Sequence, residues 1–573
     1  MKKIIVLFLL LITSLGYGQC LSTTVWNGVM WSNGIPSSTT EVFIIGSYDT
    51  NIEPSFDCCN LTIGAGGSLI ISIAEYVNVY NNINVDVNGQ LLVMSGSQLI
   101  PISNSCISTG NVSIERRTTV MKRYDYTYWS SPTNTAIGAS FLPTRWESNH
   151  TYTFNTSNFF DIEEYYLGTF LSNIPDGQDD NNDAWTNALP SDIMVKGKGY
   201  ISMIKSIIPT GTYPRTESVW FTGPLNVGII TTPIVLSANV LEVNDDMNLI
   251  GNPYSAAISS PDFIDANIAN ISGTLFFWTH TNTLTTSYSG LEMFNFSVND
   301  YARYTKLGGV AATFGGKIPS NVIGSCQGFF VEAENNANLT FTPSLMSNAY
   351  VNTTSVAFFR NQEVNKIWLN ISTELGLFSQ QLIGYSNDSS LEYNKGFDAK
   401  ILIAKNPIKF YSIENGNKYD IQARGIFDIN DVVKIGYETA VAETFTISLD
   451  SIQGIDNVYI KDNGVLHNLP YTFTSEVGEF NNRFEIVYDS SLSLNDNDSK
   501  LFRVVPNPTE NICTIFFNDF NIVNSIDVYD VRGRGMDVKI EEYSDRFTIN
   551  LELLDKGIYL VKVNDYTIKV VKN

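Results

Sequence analysis

The chain has 573 residues, 43% of them hydrophobic and 12% aromatic, so it carries enough apolar side chain for several packed cores and is no disordered polymer. Its 58 acidic residues against 35 basic ones give a formal net charge of -23 at pH 7. That imbalance repels nucleic acid and anionic membranes rather than steering toward them, which excludes both as partners and suits a surface kept soluble outside the cell.

Lys2 and Lys3 precede an unbroken apolar run from Ile4 to Ile12, and small residues stand at Gly16 and Gly18, so residues 1–18 read as a signal peptide cleaved before Gln19. Cys20 would be the acylated first residue of a lipoprotein, but Gln19 stands where that cleavage needs Gly, Ala or Ser. No later apolar run reaches the ~20 residues of a membrane helix, so no transmembrane span is expected in the mature form.

Nearly every later segment alternates apolar and polar residues with period two and is broken by Asn-Gly, Gly-Gly and Pro turns. The pattern predicts a mostly β, multidomain chain. Residues 19–115 hold short related units, LTIGAGGSLIIS, EYVNVYNNINV and NGQLLVMSGSQLI, spaced as in a small β-solenoid or a compact sandwich. Cys20, Cys58, Cys59 and Cys106 lie in this stretch, and outside the cytosol they can form disulfides. Cys58 and Cys59 are adjacent and would face opposite sides of a strand, which favours bridges from that pair to Cys20 and Cys106 over a bridge between them. Cys326 and Cys513 read as small core residues.

Residues 116–350 open on RRTTVMKRYDYTYWSSPT and form an aromatic-rich β module, within which Ser260 to Asn270 is the best short-helix candidate, with Pro261 at an allowed early position. Residues 351–488 return to regular strands (KIWLNIS, QQLIGYS, YDIQARGIF, FTISLD) and predict an antiparallel β-sandwich. Residues 489–500, DSSLSLNDNDSK, have no apolar face and read as a linker, and residues 501–573 as a small β-sandwich of their own.

The chemistry is sparse. His150, His280 and His467 are scattered, with no H-E-x-x-H, C-x-x-C or G-x-S-x-G motif, so neither a zinc site nor a serine hydrolase of the α/β type is indicated. Gly324-Ser325-Cys326-Gln327-Gly328, with His280 upstream, loosely resembles the cysteine loop of caspase-like peptidases, yet the region lacks the helical pattern of that fold. Glu163 and Glu164 would point to opposite faces of a strand and make a poor acid–base pair for glycoside hydrolysis. No catalytic residue is assigned, and the motif content does not point to an enzyme. The loop PDGQDDNNDAW places Asp176, Asp179, Asn181 and Asp183 together as candidate calcium ligands, but Ala184 replaces the glycine of an EF-hand and Pro190 stands where its glutamate belongs. Calcium is the one cofactor suggested. Trp129, Trp185 and Trp278 are candidates for stacking on a glycan.

The end of the chain carries the most specific signal: Pro506-Asn507-Pro508, the run Ile526 to Gly533, the strand Lys556 to Val563 with Gly557 and Tyr559, and a basic close at Lys569 and Lys572. These parts, in this order, resemble the C-terminal sorting domain of cargo for the bacterial type IX secretion system. The opening Trp26-Asn27-Gly28 and the phrases MNLIGNPYSAAISSPDF and GSCQGFFVEA resemble modules recurrent in surface proteins exported by the same route, for which no activity is implied. The resemblance implies handling by the type IX machinery, passage through the periplasm, and a place outside the cell or on its surface. With it go three functional expectations: an adhesin-like protein acting by display and contact on a glycan or surface protein, a glycan-binding accessory protein, or a hydrolase without a recognisable motif.

Overall fold

The computed structural model describes residues 20–122, 124–141, 146–159, 163–166, 169–172, 183–204, 214–237, 246–281, 297–350, 365–402, 406–489, 502–517, 525–543, 546–563 and 566–573. The expected signal peptide, most of the acidic loop and nearly all of the expected linker lie outside these residues.

The N-terminal strands pair in parallel, which selects the solenoid over the sandwich. Ser22–Trp26, Thr40–Ile44, Leu61–Ile63, Ile83–Val85 and Ser108–Thr109 form one sheet. Phe56–Cys58, Tyr76–Val79 and Gln98–Pro101 form the second, and Ser47–Asp49, Ser68–Ile71, Gln90–Val93 and Val112–Arg117 the third. Successive coils stack in register, so like positions form rows, with Val42 beside Leu61 beside Ile83 and Tyr48 beside Leu69 beside Leu91. Those rows face inward and are fully or almost fully buried, because alternate residues of a strand share one face. Gly110, at φ +75°, lies where a Cβ would meet the Val85 carbonyl oxygen at 1.9 Å, so only glycine lets the last coil close onto its neighbour.

Both ends of the solenoid are covered. At the first coil residues 27–36 fold back, with the Ser32 amide donating to Val25 O at 2.9 Å and the Thr24 hydroxyl to Gly34 O at 3.2 Å. Trp26, Trp31, Tyr48 and Phe56 pack beneath this cap with ring centroids 4.9–5.7 Å apart. At the last coil Ser255 donates to Leu99 O at 2.6 Å, and Gln98 accepts from the Ala257 amide at 2.9 Å. Val112–Arg117 crosses the boundary expected at residue 115 and pairs antiparallel with Ser218–Gly223, so the solenoid core continues into the aromatic module.

That module centres on a five-stranded antiparallel sheet in the order Met247–Gly251, Gly328–Ala333, Ile271–Trp278, Tyr301–Thr305, Gly308–Val310. One face carries Phe277 and Phe329 against Phe263 and Ile264 of the helix Ser260–Asn267. The helix starts where expected: Ser259 accepts from the Asp262 amide at 3.2 Å, with Pro261 in the first turn. It stops at Asn267, whose side chain leaves the helical register to donate to Thr340 O and accept from the Thr340 amide. The opposite sheet face carries Phe276 and Phe330 into a second aromatic cluster shared with the sheet of Tyr126–Trp129, Tyr200–Ile204, Trp146–Phe154 and Trp185–Asn187.

In the third region the strands Tyr471–Ser475, Glu443–Gln453, Lys366–Thr373, Phe378–Tyr385, Asn417–Arg424, Ile408–Glu414 and Val432–Thr439 lie side by side, antiparallel except where Phe378–Tyr385 meets Asn417–Arg424. This sheet shares packing with the aromatic module through Leu307, Val310, Leu382 and Ile421, and through an Arg303–Asp420 ion pair at 3.2 Å.

The C-terminal strands form two sheets around their own core. Phe502–Val505, Ile512–Phe517, Arg546–Asn550 and Lys539–Tyr543 make one, and Ile526–Asp530, Gly557–Val563 and Tyr566–Lys572 the other. Cys513, Ile515, Val528, Ile549, Val561 and Val570 are buried between them.

Candidate functional site

Of the C-terminal motif residues, Asn507 and Lys572 meet at the strand Tyr566–Lys572, while Gly533 lies in a turn after a strand that does not pair with it. Pro506, Asn507 and Pro508 are exposed, and the Asn507 side chain lies along that strand, its amide donating to Lys569 O at 2.7 Å and its oxygen accepting from the Val571 amide at 2.8 Å. Buried Thr509 continues the contact, with its amide donating to Val571 O at 2.8 Å and its carbonyl accepting from the Asn573 amide at 2.9 Å. From the same strand the Lys572 side chain, only 7% exposed, donates to the carbonyls of Leu551 at 2.7 Å, Glu552 at 3.1 Å and Leu554. Three carbonyl dipoles around one ammonium replace the water it has lost.

Gly533 sits at φ +78° in the turn after Tyr529-Asp530, donating to Asp530 O at 2.9 Å, so the turn requires the glycine. The Asp530 carboxylate accepts from the Arg532 and Arg534 amides and pairs with the Arg534 guanidinium, and these bonds, the Arg534 amide foremost, hold its pKa below the ordinary range. Tyr559 is buried and donates to Asp555 O at 2.7 Å. Gly557 is exposed with open space around it, and nothing in the structure explains a glycine there. Lys569 points to solvent.

The tryptophan candidates divide. Trp129 is buried in the first core with its Nε1–H bonded to Ser202 Oγ at 2.8 Å, so it is a packing residue and cannot reach a sugar. Trp185 and Trp278 are half-buried at the margin of the second aromatic cluster. Trp278 already stacks on Tyr128 with centroids 5.6 Å apart and planes 15° apart, and Trp185 sets its edge against Phe154 at 5.0 Å. Of the calcium candidates, Asp176, Asp179 and Asn181 lie outside the described residues, and Asp183 is exposed.

Cys20 and Cys59 form a disulfide. Cys58 and Cys106 do not form the second bridge: Cys58 points into the solenoid core, its thiol on Asn78 O at 3.5 Å, while Cys106 is a separate buried thiol pushed up to about 12 by burial. The peptidase pattern dissolves as well. Cys326 is 1% exposed and burial raises its thiol, the reverse of what a thiolate nucleophile needs. His280 instead bonds Asp125 through Nδ1 and the Tyr126 amide through Nε2. Among the described residues no group of three or more His, Cys, Asp or Glu is placed to hold a metal ion.

Two family models match this chain: one described as a domain of unknown function, DUF8693, over residues 19–488, and one described as a secretion system C-terminal sorting domain over residues 503–573. No curated protein and no solved structure matches.

Proposed function

The chain belongs to the DUF8693 family and carries a type IX sorting domain that sends it out of the cell or onto its surface, and from that premise we propose that it acts there by display and contact, in the manner of an adhesin. The supporting observation is the outward face of the solenoid. Val25, Phe43, Thr62, Asn84 and Thr109 form one row across five neighbouring strands, with the ~4.8 Å strand spacing of a sheet. A row already ordered by strand pairing contacts an extended polymer or a broad protein surface at little ordering cost. Binding of the exported protein to arrayed glycans and to surface proteins tests the reading, alongside the variant Asn84→Arg. Saturable binding that Asn84→Arg removes without changing the melting temperature is expected; turnover of a polysaccharide or peptide would overturn it.

A glycan-binding accessory role is the second reading, favoured by the half-exposed Trp185 and Trp278 beside Tyr126 and Tyr152. Loss of soluble-glycan binding in Trp185→Ala or Trp278→Ala, with Asn84→Arg unaffected, selects it.

A further inference from the structure

We infer that Asn507 and Lys572 latch the last strand of the sorting domain, and that the secretion machinery reads the strand in its latched form. Both are then positioning residues for export, and the inference rests on the sorting reading of residues 503–573. Tyr566–Lys572 is an edge strand, paired on one side with Gly557–Val563. Its other side would present free backbone groups, the feature through which edge strands pair with foreign chains. Asn507 occupies that side, matching the Lys569 carbonyl with its amide and the Val571 amide with its oxygen, as a neighbouring strand would. Thr509 extends the imitation through a short parallel bridge to Lys572.

Lys572 fastens the same segment from the other face. Its ammonium is held by carbonyls of residues 551, 552 and 554, in the turn that follows the strand Arg546–Asn550 of the facing sheet. One residue thus ties the edge, another ties the face, and together they hold the strand against both sheets. The exposed Lys569 side chain is carried outward on this fixed frame.

The test uses the full chain in a type IX-competent host, with two readouts: the fraction of protein outside the outer membrane, and amide hydrogen exchange in purified precursor. Asn507→Ala removes both edge bonds, and Lys572→Met removes the ammonium while keeping an unbranched side chain only one atom shorter. The first loses two neutral hydrogen bonds and the second the bonds of a charged group, and either loss is large enough that each change should raise exchange of the 568–572 amides about tenfold or more. Exchange in Ile512–Phe517 should stay unchanged, and export should fall by a similar factor. Lys572→Arg, which keeps a cation for the carbonyls, should restore both.

Three results would overturn the inference: normal export with the strand opened, lost export with exchange unchanged, or unchanged exchange in both variants. If a variant also loosens Ile512–Phe517, Asn507→Asp decides, since it keeps the acceptor for Val571 and replaces the donor to Lys569 with a carboxylate oxygen that the carbonyl repels. Intermediate exchange with intermediate export supports the latch, and any other pairing rejects it. Deleting residues 556–573 tests the sorting reading separately, because continued export of that truncation would undo the sorting assignment itself.

Discussion

His280 and Asp125, far apart in sequence, meet at 3.0 Å through Nδ1 and a carboxylate oxygen, and the Nε2 of the same ring accepts the Tyr126 amide at 2.8 Å. Both ring nitrogens are therefore engaged, with the hydrogen on Nδ1, and the ring pins the start of the strand Tyr126–Trp129 to the end of Ile271–Trp278. His280→Ala would remove the ring's bonds to Asp125 Oδ1 and the Tyr126 amide, leaving Asp125 with the Lys122 amide on its other oxygen, at a cost of about 1–3 kcal/mol. The expected outcome is a lower melting temperature together with altered Trp278 fluorescence, since that ring packs on His280 at 5.2 Å. Unchanged emission would count against the pinning role.

The disulfide makes a chemical prediction. Non-reducing peptide maps of protein taken from outside the cell should show Cys20 joined to Cys59, with Cys58, Cys106, Cys326 and Cys513 as thiols that resist alkylation until the chain is denatured. Burial pushes Cys106 up to about 12 and Cys513 up to about 11, which removes the reactive thiolate at neutral pH. Cys20→Ser should lower stability by ~2–4 kcal/mol through the freed loop. Rapid native alkylation of Cys58 would contradict its placement.

Trp129 separates packing from binding. Trp129→Ala empties a core site and removes the bond to Ser202, so a loss of ~3–5 kcal/mol is expected, together with general loss of folded protein. A well-folded variant that loses only glycan binding would contradict its assignment to the core.

Asp398 predicts a pH dependence. Its carboxylate accepts from the Asn394 and Ala423 amides, each at 2.6 Å, but burial dominates and raises its pKa from the ordinary 3.8 to about 6. The folded state therefore holds a proton that the unfolded chain releases between about pH 4 and 6, so stability from this group is present below pH 4 and is lost as pH rises toward 6 and beyond. Hydrogen exchange at the Ala423 amide should report a larger opening free energy at pH 5 than at pH 7, by roughly 1–2 kcal/mol. Asp398→Asn should flatten that difference, and an opposite slope in the wild-type chain would refute the assignment.

Much of the fold was legible because it follows from local rules. The rows of Val42, Leu61 and Ile83 are written in the two-residue alternation, and the Ser259 cap with Pro261 marks the helix start. Alternation alone leaves open whether neighbouring strands run parallel, so the solenoid stayed one of two options. The opposite facing of Cys58 and Cys59 was also readable; which of them turned inward depended on the coil's register against Asn78, a long-range fact. Trp129 gave no local sign of burial, since its partners come from Ser202 and Phe221. At the C-terminal site the motif residues were visible as a pattern, whereas the bonds that tie Asn507 to the last strand, and Lys572 of that strand to the turn at residues 551–554, arise only once two sheets are assembled.

Stacked parallel coils are a template that, left open, recruits further chains and grows into fibres. Here the fold-back of residues 27–36 occupies one terminus of the stack, and Ser255 with Gln98 ties the other to the aromatic module. With both termini of the stack occupied, the solenoid offers no open end to which another copy could add its coils, and the exported chain is kept from growing end to end.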